Sequence, residues 1–340
     1  MPVLVGTTMR EQRSLELWWR DGADVTLEDL HFGTALKAAF GASTTYTLAN
    51  ACSASLYALG MATYMIQGGL ADTVVVAGTD AASEGGFGTL DRVQNDLPDA
   101  LRPFDVTHKG MLMGEGAAAV VVQRAGTGTG PVHARVRGVS MGCDAHHATA
   151  PDPDGITRAV LDAHRRAGVR ASDIDLVMLH GSGTPPRNDT TEASILRQIF
   201  QGAGAGPRMT AIKAMTGHTL GGSGLLSLVM AVLAMKNGTV PPILGLAESP
   251  RPPGWAWCRA AQPPVTWPSL RSTRSASEGS TPSRSWRQPD ERDEHHAHEE
   301  PERPGRSSSR ASAWPCPVSR STATSSDRCR VRAASTRPPG

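Results

Sequence analysis

At 340 residues, the chain has room for one large or two ordinary domains. Its net charge of +2 argues against a partner held mainly by electrostatics, such as nucleic acid. Of its five cysteines only Cys52 and Cys143 precede Pro250, too few for a disulfide framework, and a reducing, cytoplasmic setting is expected.

In chain order, Pro2 to Thr7 reads as a short buried strand, with no signal-peptide pattern around it. Leu56 to Ile66 is predicted as a helix of small residues, ended by Gly68 and Gly69. Thr73 to Gly78 and Ala117 to Gln123 read as buried strands, and Val132 to Val139 alternates like another. Thr157 to Ala167 has amphipathic helical spacing, Ile174 to Leu179 is a strand, and Thr190 to Phe200 is a helix. Gly224 to Met235 is apolar on every side, as a fully buried helix must be. Strands alternating with helices predict an α/β fold around a largely parallel sheet. Beyond Pro250 the composition shifts to Arg, Ser and Pro with five of the seven tryptophans, and residues 250–340 are expected to be a disordered tail.

Three residues carry the chemistry. Cys52 lies at a predicted strand-to-helix turn, where a helix N-terminus should favour the thiolate. His180 and His218 each adjoin glycine, in Leu179-His-Gly-Ser-Gly-Thr-Pro185 and Ile212-Lys-Ala-Met-Thr-Gly-His218. Two imidazoles there could polarise a carbonyl during acyl transfer. Taken singly, a buried cysteine before a helix is more often packing than chemistry. Lys213 and Glu192 fit either a buried ion pair fixing the histidines or two surface charges. Gly221 to Gly224 lacks the lysine and spacing of a phosphate loop, and reads as letting the apolar helix approach the site backbone closely. No carboxylate or cysteine completes a ligand set with His146 and His147 at sensible spacing, so no metal is expected.

Together, Asn50-Ala-Cys-Ser-Ala54, Arg102-Pro-Phe-Asp105 with Gly114-Glu-Gly116, Asp144 to Pro151, His180 to Pro185 with Asp189 and Glu192, and Lys213 to His218 with Gly221 to Gly224 form an ordered set. The chain thereby resembles the β-ketoacyl-acyl carrier protein synthase family. The resemblance implies a thiolase-like layered α-β-α-β-α fold, incomplete here. One half, 1–130, would carry the nucleophile and lack its first strand and helix. The other half, 131–249, would carry the histidines. It implies Cys52 as the acyl acceptor and His180 and His218 as the pair that binds the malonyl carbonyl. Lys213 and Glu192 would support them, and Thr149, Ser182 and Thr184 would hydrogen-bond the pantetheine arm. It implies acyl carrier protein as partner, a homodimer or a heterodimer with a related subunit, and no cofactor.

The alternatives are a degradative thiolase, whose second catalytic cysteine has no counterpart before Pro250; a chain-length-factor-like partner subunit, a type that usually lacks the nucleophile, whereas Cys52 is present; and a non-catalytic remnant, which the missing family segments favour more than any residue does. The family's Asn-Ser-Phe-Gly-Phe-Gly-Gly loop is missing. Read in another frame, however, the codons for Ser272 to Ser283 permit Leu-Asn-Ser-Phe-Gly-Phe-Gly-Gly-Ile-Asn-Ala-Val at every position, so translation after about Pro250 is expected to be frameshifted.

Overall fold

The computed structural model describes residues 1–94, 98–128, 130–143, 150–184, 188–203, 206–249, 257–259, 265–266 and 329–333. All of them belong to one compact unit. The elements run β1 (Pro2–Gly6), α1 (Gln12–Asp21), α2 (Phe32–Phe40), β2 (Thr44–Leu48), α3 (Ala54–Gln67), β3 (Thr73–Asp80), α4 (Glu84–Val93) and β4 (Gly116–Gln123). There follow β5 (Ala134–Val136), α5 (Pro153–Ala167), β6 (Leu176–Met178), α6 (Asn188–Phe200), β7 (Arg208–Thr210), α7 (Lys213–Thr216), α8 (Ser223–Asn237), β8 (Thr239–Val240), β9 (Val265–Thr266) and β10 (Cys329–Ala333).

Six strands form one sheet in the order β2-β1-β3-β4-β10-β5. β1 pairs in parallel with β2 and β3, whereas β3–β4, β4–β10 and β10–β5 are antiparallel. The large sheet is therefore mixed, not largely parallel as predicted. β6 and β7 make a second, parallel pair, and β8 pairs antiparallel with β9.

The strand alternation sets the layers. On β1 and β3, Leu4, Val74 and Val76 face α3 and α8, packing on Ala58, Leu59, Ile66 and Leu225. Val3, Val5, Val75 and Ala77 face the other way, onto Phe32 and Leu36 of α2. The far side of α8 meets β6 through Ala231 and Ala234 against Leu176 and Met178. The opposite face of β6 and β7 packs on Ala193 and Leu196 of α6. The result is helix, sheet, helices, sheet, helix, the thiolase-like arrangement. α8 with its preceding turn, Leu220–Asn237, is the one helical stretch among the described residues long and apolar enough to span a membrane. Its apolarity is accounted for by contact with a sheet on each side.

Predicted ends moved for local reasons. α5 begins at Pro153 because Asp152 caps it, accepting from Asp154 N and Gly155 N, and Gly168 ends it at φ 63°. β5 is shorter than the predicted 132–139. Gly138 already lies against α5, where a Cβ would stand 2.6 Å from Ala167 N.

Most of 250–340 lies outside the described residues, including Trp255, Trp267, Trp286 and Trp314. The expectation that this region stays out of the core fails at Trp257 and Cys258, which are buried. Trp257 packs on the Phe104 ring at 4.9 Å, and the Cys258 N–H donates to Met209 O on the edge of β7. Two apolar side chains and a free strand edge suffice to dock a short extended segment, whatever the composition around it.

Candidate active site

Cys52 sits in a single 3-10 turn, Ala51–Ser53, that leads directly into α3. The preceding Ala51 has φ 49°, a left-handed conformation costly for a residue with a Cβ. The turn is held by the Ser53 hydroxyl donating to Asn50 O, and by packing of β1 on the start of α3. Gly6 makes that contact possible, since a Cβ there would lie 2.3 Å from Ser55 N.

His218 approaches from the second half of the chain. Its N–H donates to Leu112 O and its carbonyl accepts from Gly114 N, which fixes the backbone beside the β4 approach. The Leu220 N–H donates to His218 Nδ1 at 3.2 Å. A neutral imidazole that accepts at Nδ1 carries its proton on Nε2. Nε2 lies 3.1 Å from Cys52 Sγ, so the N–H points at sulfur. The His180 ring stands edge-on to His218, with centroids 5.4 Å apart.

The peptide of His180 is clamped at both ends. Glu192 accepts from His180 N at 2.7 Å and Gly181 N at 2.9 Å, and Lys213 Nζ donates to His180 O at 2.5 Å. Both charged side chains are buried. No direct ion pair within 4.0 Å joins Lys213 to Glu192. Of the two readings left open, surface charges are excluded: both groups are buried, and they grip opposite ends of the His180–Gly181 peptide instead of each other. Asp189 does the same work one turn earlier on α6, accepting from Phe104 N and Gly183 N.

Burial dominates the electrostatics. It pushes the Cys52 thiol up, against the pull of the Lys213 charge, so the expected net acidification by the helix end is corrected: desolvation of the thiolate outweighs it. Burial, then the Lys213 charge, holds His180 and His218 well below 6.5, so both are neutral donors at pH 7. Burial raises Glu192 to about 7, opposed by its two N–H partners, and lowers Lys213, opposed by Cys52 and Glu192.

Cys52, His180, His218, Lys213 and Glu192 are thus brought to one place. Ser182 and Thr184 lie in the loop after His180 and bond to each other at 3.0 Å. Thr149, with His146 and His147, lies outside the described residues. Sequence reading missed Asp80, a buried carboxylate at the end of β3. An acidic residue ending an apolar strand was the available signal. The glycine cluster does admit close approach: a Cβ on Gly221 would lie 2.5 Å from Thr7 C, and one on Gly224 2.6 Å from Leu56 Cγ.

A cysteine at a strained turn, faced by two neutral histidines between two layered sheets, belongs to a thiolase-like fold. Residues 39–127 match the model of the β-ketoacyl synthase N-terminal domain, and residues 133–247 match that of its C-terminal domain. The chain belongs to the β-ketoacyl synthase family. It is 35% identical over 216 residues to 3-oxoacyl-(acyl-carrier-protein) synthase 2 of Coxiella burnetii, covering 60% of this chain and 52% of that one. It is 30% identical over 207 residues to nodulation protein E of Rhizobium meliloti, covering 60% and 51%. The chain spans about half the length of these curated relatives. Among solved structures, the ishigamide ketosynthase/chain length factor aligns with TM-score 0.66 at 28% identity, over 78% of this chain and 70% of that one.

Proposed function

We propose that this site performs decarboxylative Claisen condensation of an acyl thioester with a malonyl thioester on acyl carrier protein, in fatty-acid or polyketide assembly. The observation that carries the reading is the Nε2–H of a neutral His218 held 3.1 Å from Cys52 Sγ, with the His180 ring beside it.

In the first half-reaction Cys52 sulfur attacks the acyl carbonyl. The bond from that carbon to the carrier sulfur breaks, and the thiol proton ends on the departing carrier thiol. The raised Cys52 pKa makes the transient thiolate reactive, and His218 and the Lys213 charge stabilise it. In the second half-reaction the malonyl group loses carbon dioxide and leaves an enolate, whose oxygen accepts from the two imidazole N–H groups. The enolate carbon then bonds to the Cys52 acyl carbon, the C–S bond breaks, and the thiolate regains its place against His218. Neutral histidines suit this role, because an imidazolium would bind the malonyl carboxylate as tightly as the enolate and gain nothing in the transition state. Lys213 and Glu192 act by fixing the His180 peptide. Ser182 and Thr184, with Thr149, are assigned to the pantetheine arm.

The names of the relatives support acyl carrier protein as partner and a paired synthase subunit, as homodimer or heterodimer. The two family matches, 39–127 and 133–247, support a division into halves at 1–130 and 131–249. A cytoplasmic location accords with a thiol nucleophile. Intact-mass analysis after incubation with octanoyl-acyl carrier protein tests the reading. One octanoyl adduct is expected on the native chain and on Cys143→Ala, and none on Cys52→Ala. An adduct persisting on Cys52→Ala would refute the nucleophile.

A further inference from the structure

We propose that Asp80 is a positioning residue: its buried carboxylate ties the turn after His218 to the chain after β1, and so sets the ring of His218. The inference deepens the functional reading above and rests on it for its catalytic meaning.

Asp80 is 3% exposed. A carboxylate so far from water must have its oxygens filled by hydrogen bonds. Oδ1 accepts from Thr7 Oγ1 at 2.8 Å and Met9 N at 2.7 Å. Oδ2 accepts from Thr8 N at 2.9 Å and Gly221 N at 2.7 Å. The charge is therefore met by the dipoles of two segments remote in sequence. Anchoring the chain after β1 alone would not need the Gly221 bond. That bond ties a second segment to the first.

The second segment is the 3-10 turn Leu220–Gly222. Leu220 has φ 46°, which a leucine adopts only where its surroundings enforce it. The neighbouring Gly221 N–H is the bond that enforces it, and a side chain at 221 would collide with Thr7. Leu220 N–H in turn occupies His218 Nδ1, and Nε2 faces Cys52. Asp80, Gly221, Leu220, His218 and Cys52 thus form one contiguous chain of contacts. Remove the carboxylate charge, and the Leu220 N–H is free to leave Nδ1. The ring then loses the interaction that keeps its proton on Nε2, and the donor required by thiolate and enolate is present only part of the time.

The test is the tautomer of His218 in the full chain, read from long-range proton–nitrogen correlations after ¹⁵N-histidine labelling, with His218→Ala identifying the signal. The native protein is expected to show the Nε2–H form alone. Asp80→Asn is expected to show both neutral forms, with the His180 ring unchanged. Asp105→Asn is the control for lost stability, because Asp105 is equally buried and also holds backbone N–H groups, at Ala247 and Glu248. It should lower the melting temperature without moving the His218 tautomer. A pure Nε2–H form in folded Asp80→Asn, or an equal change in both histidine rings, overturns the proposal.

Amide hydrogen exchange on the native chain gives an answer even if Asp80→Asn does not fold. Thr8, Met9 and Gly221 are expected to exchange through one shared opening, and independent exchange of Gly221 overturns the bridge. Neither readout needs acyl transfer. A chain that shows the tautomer response but never acylates Cys52 refutes the functional reading alone. Where condensation is measured, Asp80→Asn should lower kcat by about 10²-fold with little change in KM, as expected for a misaligned group. A raised KM with unchanged kcat would place Asp80 in binding and overturn its positioning role.

Discussion

Cys52 and His180 are delivered to the same point by opposite means. The Cys52 turn is fixed by backbone packing and neutral hydrogen bonds: Gly6 against Ser55, Ser53 to Asn50, and Leu225 N–H to the Ser55 hydroxyl. The His180 peptide is fixed by buried charge, with Glu192 on its N–H and Lys213 on its carbonyl. Packing places the Cys52 turn with no buried charge hydrogen-bonded to it, and the same burial raises the thiol. Buried charge also sets protonation: the Lys213 ammonium helps to keep both imidazoles neutral. Each arm should therefore be vulnerable to a different kind of substitution.

The largest effect is expected from removing either imidazole. His180→Ala or His218→Ala each removes one enolate donor, and malonyl decarboxylation should fall about 10²–10³-fold, the usual cost of one such donor. Octanoyl transfer to Cys52 should fall less. Equal loss of both half-reactions in folded protein would dissolve the division of labour between the arms.

The packing arm should break by bulk alone. Gly6→Ala places a methyl 2.3 Å from Ser55 N, where only backbone can give way. A loss of about 1–3 kcal/mol in urea unfolding is expected, the range for overpacked cores, together with slower alkylation of Cys52 by iodoacetamide. Unchanged stability would show that the approach of β1 to α3 is looser than described.

A smaller effect is expected from pH. His164, His180 and His218 are all held below 6.5, chiefly by burial, so the unfolded chain binds protons more readily than the folded one. Their contribution is complete above 6.5 and is lost as pH falls from there towards their lower folded values. Glu192 has the opposite sign. Raised from 4.5 to about 7, it contributes below 4.5 and loses that contribution as pH rises towards 7. Three histidines against one carboxylate should make stability fall between pH 7 and pH 5.5, by urea titration. Glu192→Gln should steepen the fall, and a flat profile would contradict the burial of the three rings.

A last measurement changes no activity but sharpens the boundary between core and tail. Sequencing the gene across the codons for Pro250 to Ser283 is expected to show an insertion or deletion near Pro250. An intact single frame would mean that the Asn-Ser-Phe-Gly-Phe-Gly-Gly reading of Ser272 to Ser283 is coincidence.

The strongly periodic elements were legible without coordinates: β3, β4, α6 and α8 lie where apolar alternation or helical spacing put them, within a few residues. α2, β2 and β7 were not, because each is short or has no strong apolar period. β2 reads Thr-Thr-Tyr-Thr-Leu and α2 buries no residue fully. Trp257 was misjudged because composition reports on a whole segment, whereas burial is decided residue by residue at an available strand edge.

The sequence by itself determined which side chains could react, since a thiol and two glycine-flanked imidazoles carry their chemistry with them. It also determined the helix–strand alternation that makes the fold layered. Only the tertiary structure decided their electrical state. Whether a helix end acidifies Cys52 or burial overrides it, and whether Lys213 meets Glu192 or they hold opposite ends of one peptide, depends on distances across the interface between α3, α7 and α6. Asp80 shows the same limit. Its importance comes from Thr7, 73 residues before it, and Gly221, 141 residues after it, meeting at its one carboxylate, and local sequence holds no record of that encounter.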